Sequence, residues 1–162
     1  MKNALLILLI SISTFIAKSQ TTTKNSMDFW VGTWDAYWSD SLKGTNTITK
    51  ILKSNVVEEN FVFNDKSFIG RSWSVYDSSS KTWNQTWVDD AGAYLLFAGG
   101  AEGDKVILNQ TNEKINRGKA TSMRMVFYNI AKDSFDWDWQ SSKDEINWKS
   151  EWLIHYKRKK AK

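Results

Sequence analysis

The chain has no cysteine, no proline and a single histidine, His155, among its 162 residues. Each absence closes off chemistry. Without cysteine there is no disulfide, no thiolate nucleophile, no thiolate metal site and no lipid anchored through an N-terminal cysteine. With one histidine and no carboxylates at calcium-loop spacing, no metal is expected. A Ser-His-Asp relay would have to use His155, and no Gly-x-Ser-x-Gly elbow is present. The one glycine-rich run, "AGGAEGD", lacks the Lys-Ser/Thr of a phosphate-cradling loop and reads as a flexible hairpin loop. No cofactor is therefore expected. Average composition would supply about 5% proline. Proline removes a ladder donor, so its absence suits a chain of many paired strands joined by Gly, Asn and Asp turns.

Long apolar runs are also scarce. The exception lies at the start, where Lys2 precedes "ALLILLISISTFIA", Ala4 to Ala17. Ala17 and Ser19 stand at the −3 and −1 positions of a cut before Gln20, the layout of a secretory signal peptide. The run is shorter than the ~20 residues a spanning helix needs. The expected organisation is a signal peptide over 1–19, a polar linker over 20–27, one barrel domain over 28–158 and a basic tail over 159–162. The expected location is secreted or periplasmic, with no transmembrane segment after cleavage. Without disulfides, stability must come from burial and hydrogen bonding.

The formal charge of +4 misleads. The last six residues, "KRKKAK", hold five positive charges, whereas residues 20–156 carry 15 basic and 18 acidic side chains. Nucleic-acid binders place positive charge on a folded face or groove. Here it sits on a tail, so no nucleic-acid partner is expected.

What remains is strand after strand. Alternation is plain in "TNTITKIL", "VVEENFVF", "SFIGRSWSVYD", "KTWNQTWVD", "KVILNQT", "SMRMVFYNI", "DSFDWDWQ" and "NWKSEWLIHYKRK". Turn-forming clusters separate them. The short, regular spacing predicts an all-β fold, an antiparallel up-and-down sheet of eight or so strands closed into a barrel so that no edge is left exposed. In "SMDFWVGTWDAYW", Trp30, Trp34 and Trp38 recur at i, i+4 and i+8, a spacing that suits a helix face and a strand face equally, and Gly32 with the β-rich DAYW end favours a short helical turn leading into the first strand.

The ten tryptophans give the faces. In a strand, residues two apart share a face. Trp83, Gln85, Trp87 and Asp89 therefore lie together, opposite Asn84, Thr86 and Val88. Trp137 and Trp139 go with Phe135, opposite Asp136, Asp138 and Gln140. Trp148, Trp152, Ile154 and Tyr156 form another set, leaving His155 on the outer face. Trp73 alone falls outside such sets. One side of the sheet is aromatic and must be buried. It is either a filled core, with Gln85 and Asp89 satisfying indole donors, or the lining of a cavity. Polar groups on an aromatic face favour the cavity, since a solid core would use Val, Leu and Ile. Sugar stacking would need coplanar rings on the outer face, which the parity disfavours.

"FWVGTWDAYW" resembles the Gly-x-Trp opening of lipocalin-like (calycin) barrels through Gly32 and Trp34. "IGRSWSVYDSSSKTWNQTWVDDAG" resembles small bacterial secreted lipocalin-like domains of unknown function, through Gly70, Ser72, Tyr76, Asp77, Trp83, Gln85, Trp87, Asp89 and Gly92. Arg124, Ser142, Asp144, Trp148, Tyr156 and Arg158 continue the match, with Glu145 and Ile146 where that family has a Gly-Gly turn. The resemblance implies a lipocalin-like barrel and a pocket, and no particular reaction. Some haem-binding barrels of this kind use a histidine near the last strand, which makes haem ligation by His155 an alternative. Others are isomerases, hydratases or lyases. Glu58 or Glu59, Asp89 and Arg124 could meet inside a barrel, with a buried carboxylate such as Asp89 as acid or base.

The sequence thus predicts a monomeric, exported barrel that binds a small, partly apolar or aromatic ligand. The candidate binding residues are Trp34, Trp83, Gln85, Trp87, Asp89, Arg124, Trp139, Trp152 and Tyr156. The faces of Trp139 and Trp152 hold only if no bulge intervenes.

Overall fold

Short runs with an apolar residue at every second position leave one face of the sheet to bury, and a sheet that closes on itself buries that face and leaves no edge. The computed structural model shows that closure. It describes residues 21–160, apart from 113, 114, 117 and 118, and gives the backbone alone for 115–116 and 119–120. The expected signal peptide and the last two residues of the basic tail lie outside the described residues.

A 3₁₀ turn over Asp28–Trp30 leads into twelve strands. These are β1 (Gly32–Trp38), β2 (Ser41–Ile51), β3 (Val56–Phe63), β4 (Ile69–Asp77), β5 (Thr82–Asp89), β6 (Tyr94–Glu102), β7 (Lys105–Gln110), β8 (Ile115–Asn116), β9 (Lys119–Ala120), β10 (Ser122–Tyr128), β11 (Ser134–Ser142) and β12 (Lys149–Arg158). Ten of them form a closed, antiparallel, up-and-down barrel in chain order, and β8 pairs only with β9 in the β7–β10 connection. Among the described residues no helix is long and apolar enough to cross a membrane.

The expected number of strands was low because β6 was not recognised. Its "AGGAE" end reads as a loop, yet Gly99 and Gly100 pair with Leu108 and Ile107 in the ladder. A β-carbon on Gly99 would sit 2.0 Å from the Ile107 carbonyl oxygen. The glycine marks close backbone approach within a strand.

Turns follow local chemistry. Ser39 and Asp40 both take left-handed backbone angles, φ 51° and 58°, between the paired Trp38 and Ser41. That is the two-residue turn whose twist matches a hairpin. In the β11–β12 turn, Glu145 adopts φ 57° without being glycine. The turn holds because Asp144 accepts hydrogen bonds from the backbone amides of Ile146 and Asn147 and from the Asn147 side chain. These donors push the Asp144 carboxyl well below the usual range.

β12 contains a bulge. Trp139 pairs with Trp152 while Gln140 pairs with Ser150, which leaves Glu151 as the extra residue. Trp139 and Trp152 keep their inward faces. Trp148, beyond the bulge, is turned outward and stacks against the Arg124 guanidinium at 3.8 Å, contrary to its expected place with Trp152.

One end of the barrel is plugged by the chain that precedes β1. The Trp83 indole donates to the Thr23 carbonyl (3.0 Å), the Tyr76 hydroxyl to the Thr22 carbonyl (3.2 Å) and the Trp34 indole to the Trp30 carbonyl (2.7 Å). Met27 and Trp30 are buried beneath this segment. Arg158, from the last strand, lies 4.0 Å over the Trp34 ring. It donates to the carbonyls of Val31, Phe29 and Lys132. Gly32 leaves room for it: its φ is +140°, and a β-carbon there would lie 2.2 Å from the Arg158 guanidinium.

Arg158→Ala removes this stacking and its charge-assisted hydrogen bonds together. The expected loss is about 2 kcal/mol of unfolding free energy, seen as a lower urea midpoint with an unchanged slope.

Candidate functional site

Alternation places a continuous inner wall. β3 contributes Val57, Glu59 and Phe61, β5 contributes Trp83, Gln85 and Trp87, β11 contributes Phe135, Trp137 and Trp139, and β12 contributes Trp152, Ile154 and Tyr156. Near the plug these side chains are tightly packed. Trp34 meets Phe135 edge-on at 4.8 Å, and Phe135 stacks on Tyr156 at 4.6 Å. Further up they stand apart and enclose a cavity of about 190 Å³.

The cavity floor is Trp30 and Phe127. Its middle is walled by Phe61, Phe97, Met125, Ile154 and Tyr156, with Glu59 among them. Toward the open end it is lined by Phe68, Trp87, Asp89, Trp137, Trp139 and Trp152. Trp137 and Trp139 stack with ring planes 6° apart, and Trp152 stands against Trp137 at 85°. Trp87 stacks on Phe68 and lies directly over Gly70, where a β-carbon would fall 2.1 Å from the indole.

Five of the nine candidate residues line the cavity: Trp87, Asp89, Trp139, Trp152 and Tyr156. Trp34 and Trp83 point inward but serve the packed end and the plug. Gln85 is inward and buried, and its amide donates to Ser74 Oγ at 2.9 Å. Arg124 is not an interior fixture. Its neighbours Met125 and Phe127 take the inward positions, so Arg124 faces out, between the Trp148 ring and Gln140 Oε1. His155 also faces out, against Asp136, and offers no nitrogen to the cavity, so haem ligation there by His155 lacks its ligand.

Asp89 is not the fully buried carboxylate. It sits half-buried at the open end and accepts from the Trp87 indole and the amides of Ala91 and Ala93. The buried one is Glu59, with only 7% of its surface exposed. Asn46 Nδ2 donates to Glu59 Oε1 at 2.7 Å, and Ser72 Oγ donates to Oε2 at 2.6 Å. Asn46 also reaches the Tyr156 hydroxyl at 3.4 Å. Burial outweighs these hydrogen bonds and raises the Glu59 pKa to about 7. Burial, with Glu59 close by, raises Tyr156 above the ordinary phenol value. Glu58, its neighbour in sequence, faces out and accepts from the Trp73 indole. The expected meeting of Glu59, Asp89 and Arg124 therefore does not occur. Parity within "VVEENFVF" carried the signal for Glu59, since it shares a face with Val57 and Phe61.

Among the described residues, three buried side-chain atoms have no partner: Trp30 Nε1, Asn46 Oδ1 and Gln85 Oε1. Buried polar atoms are rarely left so, and each carries a cost. The fold and site define an all-antiparallel up-and-down barrel with an aromatic internal cavity, an architecture consistent with calycin-like barrels. No protein-family model and no curated protein matches the chain.

The raised Glu59 pKa has a thermodynamic consequence. Below pH ~4.5 the carboxyl is protonated folded and unfolded, and costs nothing. Between about 4.5 and 7 the unfolded chain gives up the proton first. Stability is therefore expected to fall with rising pH across that window, by about 3 kcal/mol, and then to level off. Urea titrations of Glu59→Gln, compared with the parent at each pH, should show that this component has vanished.

Proposed function

We propose that the protein is a lipocalin-like barrel, exported from the cell, that holds a small, partly apolar or aromatic molecule in its internal cavity. The observation that carries this reading is the cavity itself. Aromatic faces enclose about 190 Å³ beside one buried carboxyl group. A filled barrel would have closed this space, because native cores pack to crystal-like density. Sites for small molecules are mostly apolar, with a few placed polar groups. The volume suits a single ring with a short substituent: a cavity of roughly 150 Å³ accepts benzene, and drug-sized ligands need about 300 Å³ or more. The same limit disfavours haem. The Gly32–Trp34 opening under Arg158 supports the lipocalin-like assignment.

A second reading has one observation behind it. A carboxyl group with a pKa of about 7 inside an aromatic cavity is poised to move a proton at neutral pH. An isomerase, hydratase or lyase would use Glu59, in place of Asp89, as its acid or base. Turnover abolished in Glu59→Gln, with ligand affinity retained, would support that reading.

Tryptophan fluorescence titrated with single-ring aromatic compounds tests the binding proposal. The expected result is a saturable change, weakened about tenfold or more in Trp87→Ala. A folded protein with no response to any of them removes the cavity as a binding site.

A further inference from the structure

We propose that the cavity binds a compact aromatic amine, its ring among the indoles and its ammonium group against Glu59. This rests on the cavity being a ligand site and names the class of ligand.

Among the described residues, the cavity wall carries two carboxyl groups, Glu59 and Asp89, and no cationic side chain. Glu59 presents a carboxylate whose two oxygens each have one protein donor. Each oxygen retains capacity for a second. Behind the wall, outside the lining itself, Asn46 Oδ1 and Gln85 Oε1 accept from no donor among the described residues. Of the donors beside Glu59, Asn46 Nδ2 and Ser72 Oγ are engaged by it and Gln85 Nε2 by Ser74, whereas Trp30 Nε1 at the cavity floor is a donor without a partner among the described residues. The free capacity of the Glu59 oxygens matches a ligand that brings a hydrogen-bond donor to that carboxylate, as an ammonium does.

Charge points the same way. Among the described residues no ion pair includes Glu59. Arg124 and Arg158 are committed elsewhere, Arg124 to Trp148 on the outer face and Arg158 to Trp34 and the plug carbonyls. A buried carboxylate without a counter-charge is expensive, and a bound ammonium supplies that counter-charge in a low-dielectric site. The walls add to it. Indole faces attract cations through the ring quadrupole, and Trp137, Trp139 and Trp152 present both parallel and perpendicular rings along the same cavity.

The groups facing Glu59 are few. Asn46 from β2 and Ser72 from β4 carry no charge, and Tyr156 from β12 is neutral through the working range. Asp89 from β5 is the other carboxylate of the lining, at the open end. Substituting each carboxylate in turn therefore separates their contributions to amine binding.

The test titrates the purified protein with benzylamine, benzyl alcohol and toluene by calorimetry, at about pH 8 and about pH 5.5, on either side of the Glu59 transition. Benzylamine is expected to bind at least about tenfold tighter than benzyl alcohol at the higher pH. That advantage should disappear at the lower pH and in Glu59→Gln, and persist in Asp89→Asn. Should Glu59→Gln not fold, the pH series on the parent protein decides alone. Equal or weaker binding of benzylamine at the higher pH overturns the amine assignment and leaves the pocket standing. So does an advantage that survives loss of the Glu59 charge, or one that depends on Asp89. Failure of all three compounds to bind overturns the pocket and the amine together.

Discussion

Pairing of β1 with β12 closes the sheet, and that closure sets what meets what inside. It brings Trp34 opposite Arg158 and Ala36 opposite Tyr156. From there Arg158 covers the Trp34 ring and ties down the plug, while the Tyr156 hydroxyl comes within reach of Asn46 and so of Glu59. An open sheet of the same strands would expose its edges and would leave Glu59 facing water. Closure also explains the plug's indole bonds. Trp34, Trp83 and Tyr76 lie far apart in the chain but converge on one rim, where they hold residues 22–30 across the barrel end.

The interior is divided between packing and space. At the plugged end, aromatic rings pack closely, Trp34 edge-on to Phe135 and Phe135 stacked on Tyr156. Around Glu59 the fit gives way to a cavity, and the polar groups there are only partly matched. Desolvating a carboxylate costs several kcal/mol unless it is well paired, and two neutral hydrogen bonds do not offset it. The fold therefore carries a strained polar element in its middle, supported by the surrounding aromatic burial. Natural proteins concentrate such local costs where they work.

Much of the architecture was legible in the chain. Alternation over "TWNQTWVD" and "SFDWDWQS" placed Trp83, Trp87, Trp137 and Trp139 on the inner wall, and it put His155 outside. The lack of proline and the regular turns suited a closed meander. The failures have local causes. Two glycines disguised the end of β6 as a loop, although the strand needs Gly99 where β7's backbone comes close and Gly100 where Thr22 of the plug does. One extra residue, Glu151, reversed the face of Trp148. Arg124 was placed inside by its association with carboxylates, while the parity of Met125 and Phe127 put it outside.

The sequence by itself determined the fold class and the aromatic face, because strand periodicity is a property of neighbours along the chain. It did not determine where that face is packed and where it is hollow. Glu59 and Asp89 both sit on inward positions, and no local rule distinguishes them. Tertiary structure does, by burying one among Phe61, Ile154 and Tyr156 and leaving the other at the rim with backbone donors. Desolvation depends on what surrounds a group in space. Here those surroundings come from strands more than ninety residues apart.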